Sequence, residues 1–91
     1  MTTDMTRDEI QKWLEDCEQF ALLADGLDEA FLGIDTSGDE PRAVYSTEKC
    51  IEILARDMGE ENAVEYFDFN VAGSYVGPQT PIFIKTPYEK R

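Results

Sequence analysis

The chain of 91 residues contains no histidine. That absence removes Ser-His-Asp and Cys-His nucleophilic catalysis, zinc centres built on imidazole, and histidine-based pH switching. Cysteine is nearly as scarce. Cys17 and Cys50 are too far apart in sequence to form a chelating pair, and a secreted disulfide framework would carry more of them. Both fall on helical stripes expected to face the core, where a free thiol behaves as a small hydrophobe. Positive charge is short as well: 8 Lys and Arg stand against 20 Asp and Glu, a formal charge of -12. Such acidity excludes direct binding to nucleic-acid phosphates and disfavours anionic membrane surfaces. No apolar run approaches the roughly 20 residues of a membrane span, and the polar start, Met1–Glu9, lacks the pattern of a signal or transit peptide. The expected setting is a reducing cytoplasm, with no metal or other cofactor.

What is present reads as one domain over residues 1–91, large enough for a small core but not for a deep enclosed chamber. Residues 1–5 and 86–91 are expected to be flexible tails. Thr6 and Glu9 make a capping box at the start of a first helix. Behind it Ile10, Trp13, Leu14, Cys17, Phe20, Ala21 and Ala24 recur at helical spacing, which predicts a helix continuing to Asp25-Gly26. Glu29–Asp35 and Arg42–Tyr45 read as the strands of a hairpin around the turn-rich Thr36–Pro41. Ser46 caps a second helix over Thr47–Met58, with Cys50, Ile51, Leu54, Ala55 and Met58 inward and Glu52–Arg56 as an i,i+4 ion pair. Gly59 breaks it, and a third helix spans about Glu60–Ala72, with Val64, Phe67 and Val71 as its buried stripe. Tyr75-Val76 is a candidate short strand, Gly77–Pro81 a turn, and Ile82–Ile84 the last strand. The expected fold is α+β, a small three-stranded antiparallel sheet packed against three helices in the order α-β-β-α-α-β.

The acidic surface is the first candidate for function. Residues 1–84 hold 19 carboxylates against 5 cations, and the pattern puts them on the outer faces of all three helices. Asp8, Glu15 and Asp16 mark the first helix, while Glu61, Glu65 and Asp68 share a face of the third. An electrostatic surface of this kind suits a basic protein partner, and opposite potentials bring fast, salt-sensitive association; the plainer reading is a solvated face kept for solubility. Glu61, Glu65 and Asp68 also lie close enough for pKa coupling or a hard cation, but nothing in the pattern predicts their burial. Asp35–Glu40 has the composition of a calcium loop yet fails the EF-hand pattern, lacking Gly at the sixth position and Glu at the twelfth, where Ser46 stands.

Aromatic residues number ten, heavy for this length. Trp13, Phe20, Phe31 and Phe67 are most simply core. Tyr66, Phe69, Tyr75 and Tyr88 are hard to bury together on so few elements, and exposed aromatic clusters are what protein interfaces enrich. Self-association would equally use them and would support a small core.

The stretches Ala43–Leu54 (AVYSTEKCIEIL), Glu61–Gly77 (ENAVEYFDFNVAGSYVG) and Thr80–Ile84 (TPIFI) resemble a family of small, uncharacterised proteins encoded by tailed bacteriophages. The resemblance covers about residues 28–84, and its most specific part is Phe67-Asp68-Phe69-Asn70-Val71 followed by Gly73 and Tyr75-Val76-Gly77. Where the family often carries Asp, this chain has Ser46, which still caps a helix. The acidic first helix lies outside the matched part. The resemblance implies a phage setting rather than a mechanism.

Together these readings predict a small, acidic, non-enzymatic interaction protein of phage type. It would bind, and inhibit, a host protein with a basic surface, such as a nucleic-acid-binding or defence factor met by a DNA-like acidic face. The expected protein-binding residues are Asp8, Glu15, Asp16, Glu61, Glu65, Tyr66, Asp68, Phe69, Asn70 and Tyr75. Two other classes stay open: a small-ligand or metal-binding module centred on Asp68, Asn70 and Tyr75, and a structural or assembly protein of the virion. No catalytic residue is assigned.

Overall fold

A computed structural model describes residues 6–24, 26–73 and 77–86 of the chain. The first helix, α1, is Arg7–Asp16, and its start follows the capping box: Thr6 Oγ1 accepts from the Glu9 N–H at 3.2 Å while Glu9 Oε1 accepts from the Thr6 N–H at 2.9 Å. Its end falls well short of the expected Asp25-Gly26. The Glu18 N–H bonds the Glu15 carbonyl and the Gln19 N–H bonds the Leu14 carbonyl, 3.0 and 2.9 Å, with Glu18 in the left-handed region at φ 60°. That paired pattern is a Schellman termination, here built on a glutamate where glycine is usual.

Residues 17–24 therefore leave the helix, and the apolar spacing that predicted its continuation was coincidental. The chain is instead fastened by contacts from distant elements. The Ala24 N–H donates to Tyr45 Oη at 2.8 Å, Arg7 Nη2 donates to the Ala24 carbonyl at 3.3 Å, and Gln79 Nε2 donates to the Phe20 carbonyl at 2.8 Å. Two expectations fail with the helix: Cys17 is exposed rather than core-facing, and Phe20 is 83% exposed rather than buried.

A short 3-10 turn at Asp28–Ala30 leads into β1, Phe31–Asp35, which pairs antiparallel with β2, Arg42–Ser46. Register shifts between Phe31 and Gly33, a bulge that leaves Leu32 without a partner and 46% exposed. In the turn, Asp35 accepts from both the N–H and the hydroxyl of Ser37, so this carboxylate closes the hairpin. Those bonds hold its carboxyl below the usual range.

The next helix, α2, is Thr47–Met58, capped by Ser46 as expected, and Gly59 at φ 85°, ψ 159° ends it. That backbone conformation is nearly confined to glycine. α3 follows at Glu60–Tyr66 and runs on through a π-turn, Phe67–Val71, marked by the Ala72 N–H reaching the Phe67 carbonyl five residues back at 2.7 Å. Its buried residues are Ala63 and Phe67, while Val64, expected inward, is 40% exposed. A small residue at Ala63 suits the close packing of α3 on α2. The ion pairs also differ from expectation, since Arg56 reaches Glu29 at 3.0 Å and Glu52 pairs with Lys49 at 3.7 Å.

The last strand, β3, is Ile82–Ile84, and it pairs with β2 in parallel, giving the sheet order β1-β2-β3. The sheet is thus mixed, not antiparallel. A parallel neighbour needs a long crossover, which α2, α3 and the stretch to residue 81 supply. Beyond β3, Thr86 is tied down rather than part of a free tail. Its N–H donates to Glu48 Oε1 at 3.0 Å and its hydroxyl lies 3.2 Å from Ser46 Oγ. The first of these bonds is the main reason the Glu48 carboxyl sits below its ordinary range. Tyr75-Val76, a candidate strand in the sequence, lies outside the described residues.

Register explains the core. Phe31, Tyr45 and Phe83 are successive cross-strand partners, so their rings share one face of the sheet. Trp13 of α1 packs edge-on against Phe31, centroids 6.1 Å apart, and Phe67 of the π-turn packs edge-on against Phe83 at 5.2 Å. Between them Phe31 meets Tyr45 at 5.7 Å and Tyr45 stacks on Phe83 at 5.6 Å. The result is a continuous row of rings from one helix to another across the sheet. Ile10, Leu14, Leu27, Ala43 and Cys50 complete a single hydrophobic cluster. Burial pushes the Cys50 thiol up to about 12, so it is an inert core residue.

Candidate interaction surface

α1 and the π-turn stand at opposite ends of the ring row, and this separates the acidic residues into two groups. Asp8, Glu15 and Asp16 are exposed on α1; Glu61 and Glu65 are exposed on α3, with Asp68 beyond them on the π-turn. α3 packs chiefly on α2, so the structure does not merge the two groups into one face. Their local electrostatics differ too. Asp8 and Glu9 lie in the first turn of α1, where negative charge suits the helix dipole; Glu15 and Asp16 lie in the last turn, which has no basic residue. Carboxylates there oppose the dipole, so Glu15 and Asp16 have no stabilising role of that kind.

Two of the aromatic residues expected at the surface are exposed. Tyr66 is 43% and Phe69 78% exposed, one helical turn apart, with Asn70 exposed beside them. Tyr75, the remaining predicted site residue, lies outside the described residues. Phe67 between them faces inward, which is why the segment has one aromatic ring in the core and two in solvent.

Tyr66 and Asn70 also border a cavity of about 360 Å³ that lies over β3. Phe83 and Pro81 line it on the sheet side, Val71 on the π-turn side, and Leu22, Leu23 and Leu27 on the opposite wall. This volume lies within the range of ligand and anchor pockets, and the lining is mainly apolar with a few polar groups, among them Thr80. The whole opposite wall escaped the sequence reading, which put residues 21–24 in a helix. The signal available was the uninterrupted run Phe20-Ala21-Leu22-Leu23-Ala24, which is apolar all round and does not fix a helical face.

Among the described residues no group of three or more His, Cys, Asp or Glu side chains is placed to hold a metal ion. Nor is any helix there long and apolar enough to cross a membrane. No protein-family model, curated protein or solved structure matches the chain.

Proposed function

We propose that the chain is a non-enzymatic interaction protein of phage type, acting in a host cytoplasm by binding a host protein with a basic surface. The observation that carries this reading is the segment Glu61–Asn70, where exposed Tyr66 and Phe69 stand among exposed Glu61, Glu65 and Asp68. Exposed aromatic residues are the kind of anchor that protein interfaces enrich, set within a polar rim, and carboxylates in that rim favour a basic partner. The phage setting rests on the family resemblance of residues 28–84. Inhibition of a nucleic-acid-binding or defence protein is the sharper form, and it assigns α1 a DNA-like acidic role through Asp8, Glu15 and Asp16.

Capture from host lysate at low salt, repeated at high salt, tests the reading. A specific partner released by salt is the expected outcome. Failure to retain any protein at low salt contradicts it. Reversing charge at Asp8, Glu15 and Asp16 tests the DNA-like form alone, which unchanged affinity would remove.

A second reading, the small-ligand module expected around Asp68, Asn70 and Tyr75, has the cavity on its side in part: Asn70 lines it beside Tyr66, Asp68 is not among its lining residues, and Tyr75 lies outside the described residues. It expects a rise in melting temperature with a ligand, because binding only the native state adds stability. A flat screen against uncharged aromatic compounds and divalent cations dismisses it.

A further inference from the structure

We propose that the cavity over β3 receives one bulky apolar side chain from a cationic amphipathic segment of the partner, an inference that rests on the basic-partner reading above. Leu22, Leu23 and Leu27 on one side, Tyr66 and Val71 on the other and Phe83 from the sheet line the slot. A bulky aromatic or leucine side chain fits within this volume, and pocketed aromatic side chains are the usual interface anchors.

The apolar surface continues beyond the slot. Phe20, two residues before Leu22, is 83% exposed, and its carbonyl is held by Gln79, the neighbour of wall residue Thr80. On the other side Phe69 is 78% exposed next to Asn70 of the wall. A small molecule seated in the slot would leave both rings in water. An amphipathic segment lying across it covers them.

Charge selects among such segments. Glu18 stands two residues before Phe20, while Glu65 and Asp68 flank Tyr66 and Phe69; all three are exposed, and among the described residues none forms an ion pair. Several cations are spent elsewhere: Arg7 on Asp28, Lys49 on Glu52, Arg56 on Glu29, and Arg42 on the Thr80 carbonyl. A second copy of a chain carrying -12 would bring like charge to the same rim, which is costly at an interface. Lys or Arg flanking the apolar anchor removes that cost.

The test uses the full chain and a fluorescein-labelled synthetic peptide of Lys and Leu with one central Trp, patterned as an amphipathic helix. Controls are the same composition in scrambled order, Trp replaced by Ala, and Lys replaced by Glu. Fluorescence anisotropy should show binding of the patterned peptide. The scrambled and Trp-less peptides, and the Phe69→Ala and Leu22→Asn chains with the patterned one, should each bind about tenfold more weakly. Both substitutions are at exposed positions, and a circular dichroism melt confirms that each variant is folded. Equal binding of the patterned and scrambled peptides overturns the inference, because charge alone then accounts for the affinity. Displacement of the patterned peptide by free indole, with no loss on Phe69→Ala, assigns the slot to a small ligand. Sedimentation as a dimer that Phe69→Ala dissolves assigns it to a second copy. If a captured host partner is lost on charge reversal of α1 but kept on Phe69→Ala, the slot inference fails while the basic-partner reading stands. If no cationic peptide and no host protein binds, both fail.

Discussion

Residues 7–24 and residues 42–67 carry similar local signals and are stabilised in different ways. Each begins with a side-chain N-cap, at Thr6 and at Ser46. The second region then stops its helix at Gly59 and buries Ala43, Tyr45, Ser46, Cys50, Ala63 and Phe67. In the first, α1 buries Ile10 and Leu14, ends on a left-handed glutamate, and passes into a stretch fastened by scattered hydrogen bonds. The difference shows what a stop signal contributes. Where glycine marks the end, the helix boundary is encoded locally; where it does not, distant partners such as Tyr45 decide the path of the chain.

Tyr45 joins the two regions, so its removal should have the largest effect. Tyr45→Ala deletes a fully buried ring between Phe31 and Phe83 and leaves the Ala24 N–H without its acceptor. A loss of about 3–5 kcal/mol is expected from urea unfolding, the range for buried aromatic-to-alanine changes. The same residue gives an alkaline limit. Desolvation raises the Tyr45 hydroxyl above its ordinary value of 10.0, so its contribution is intact below about pH 10 and is lost as pH rises toward the higher folded value. Melting temperature followed above neutrality should therefore fall in that window, and Tyr45→Phe should flatten that part of the curve.

Gly59→Ala tests the locally encoded end. At φ 85°, ψ 159° a β-carbon meets open space but a strained backbone. The expected cost is about 1–3 kcal/mol by denaturant unfolding, and an unchanged midpoint would show that the α2–α3 junction can relax.

Smaller effects belong to the first region, and they run in the opposite direction. Glu15→Lys and Asp16→Lys place positive charge in the last turn of α1, where it suits the dipole, and each should stabilise by about 0.3–1 kcal/mol. If α1 is a binding face, the same variants lose partner affinity while gaining stability, which separates function from folding in one pair of measurements. Glu18→Gly should add a few tenths of a kcal/mol, because relief of the left-handed strain slightly exceeds the entropy glycine loses on folding. Thermal melts sensitive to about 1 °C would detect it. A destabilised Glu18→Gly variant would mean that the glutamate side chain has a role in holding residues 17–24.

The same contrast explains what the sequence made legible. The capping box, the Ser46 cap, Gly59 and the turn-rich Thr36–Pro41 all act through neighbouring residues, and the boundaries they set fall where they were expected, although β1 begins at Phe31 rather than Glu29 and β2 runs one residue on to Ser46. Strand direction at β3 depends on how the crossover packs, and neither strand periodicity nor turn composition encodes that. Nor did the ring row appear in the pattern: Tyr45 is one of several aromatics until register sets it between Phe31 and Phe83. For the candidate surface, Tyr66 and Phe69 were legible because too few elements exist to bury them. Leu22 and Leu23 of the cavity wall were not, because the all-apolar run Phe20–Ala24 carries no directional information.

The π-turn has one further consequence. Five residues, Phe67–Val71, fill a turn that an α-helix would complete with fewer. Shortening it by one would rotate everything beyond by about 100°. Phe67 would keep its place against Phe83, since it comes first, while Asn70 and Val71 would swing out of the cavity wall. The surface is therefore tuned to the number of residues in this turn as much as to their identity. Substitutions there alter its chemistry, whereas a one-residue deletion would dephase the aromatic core from the rim of the slot.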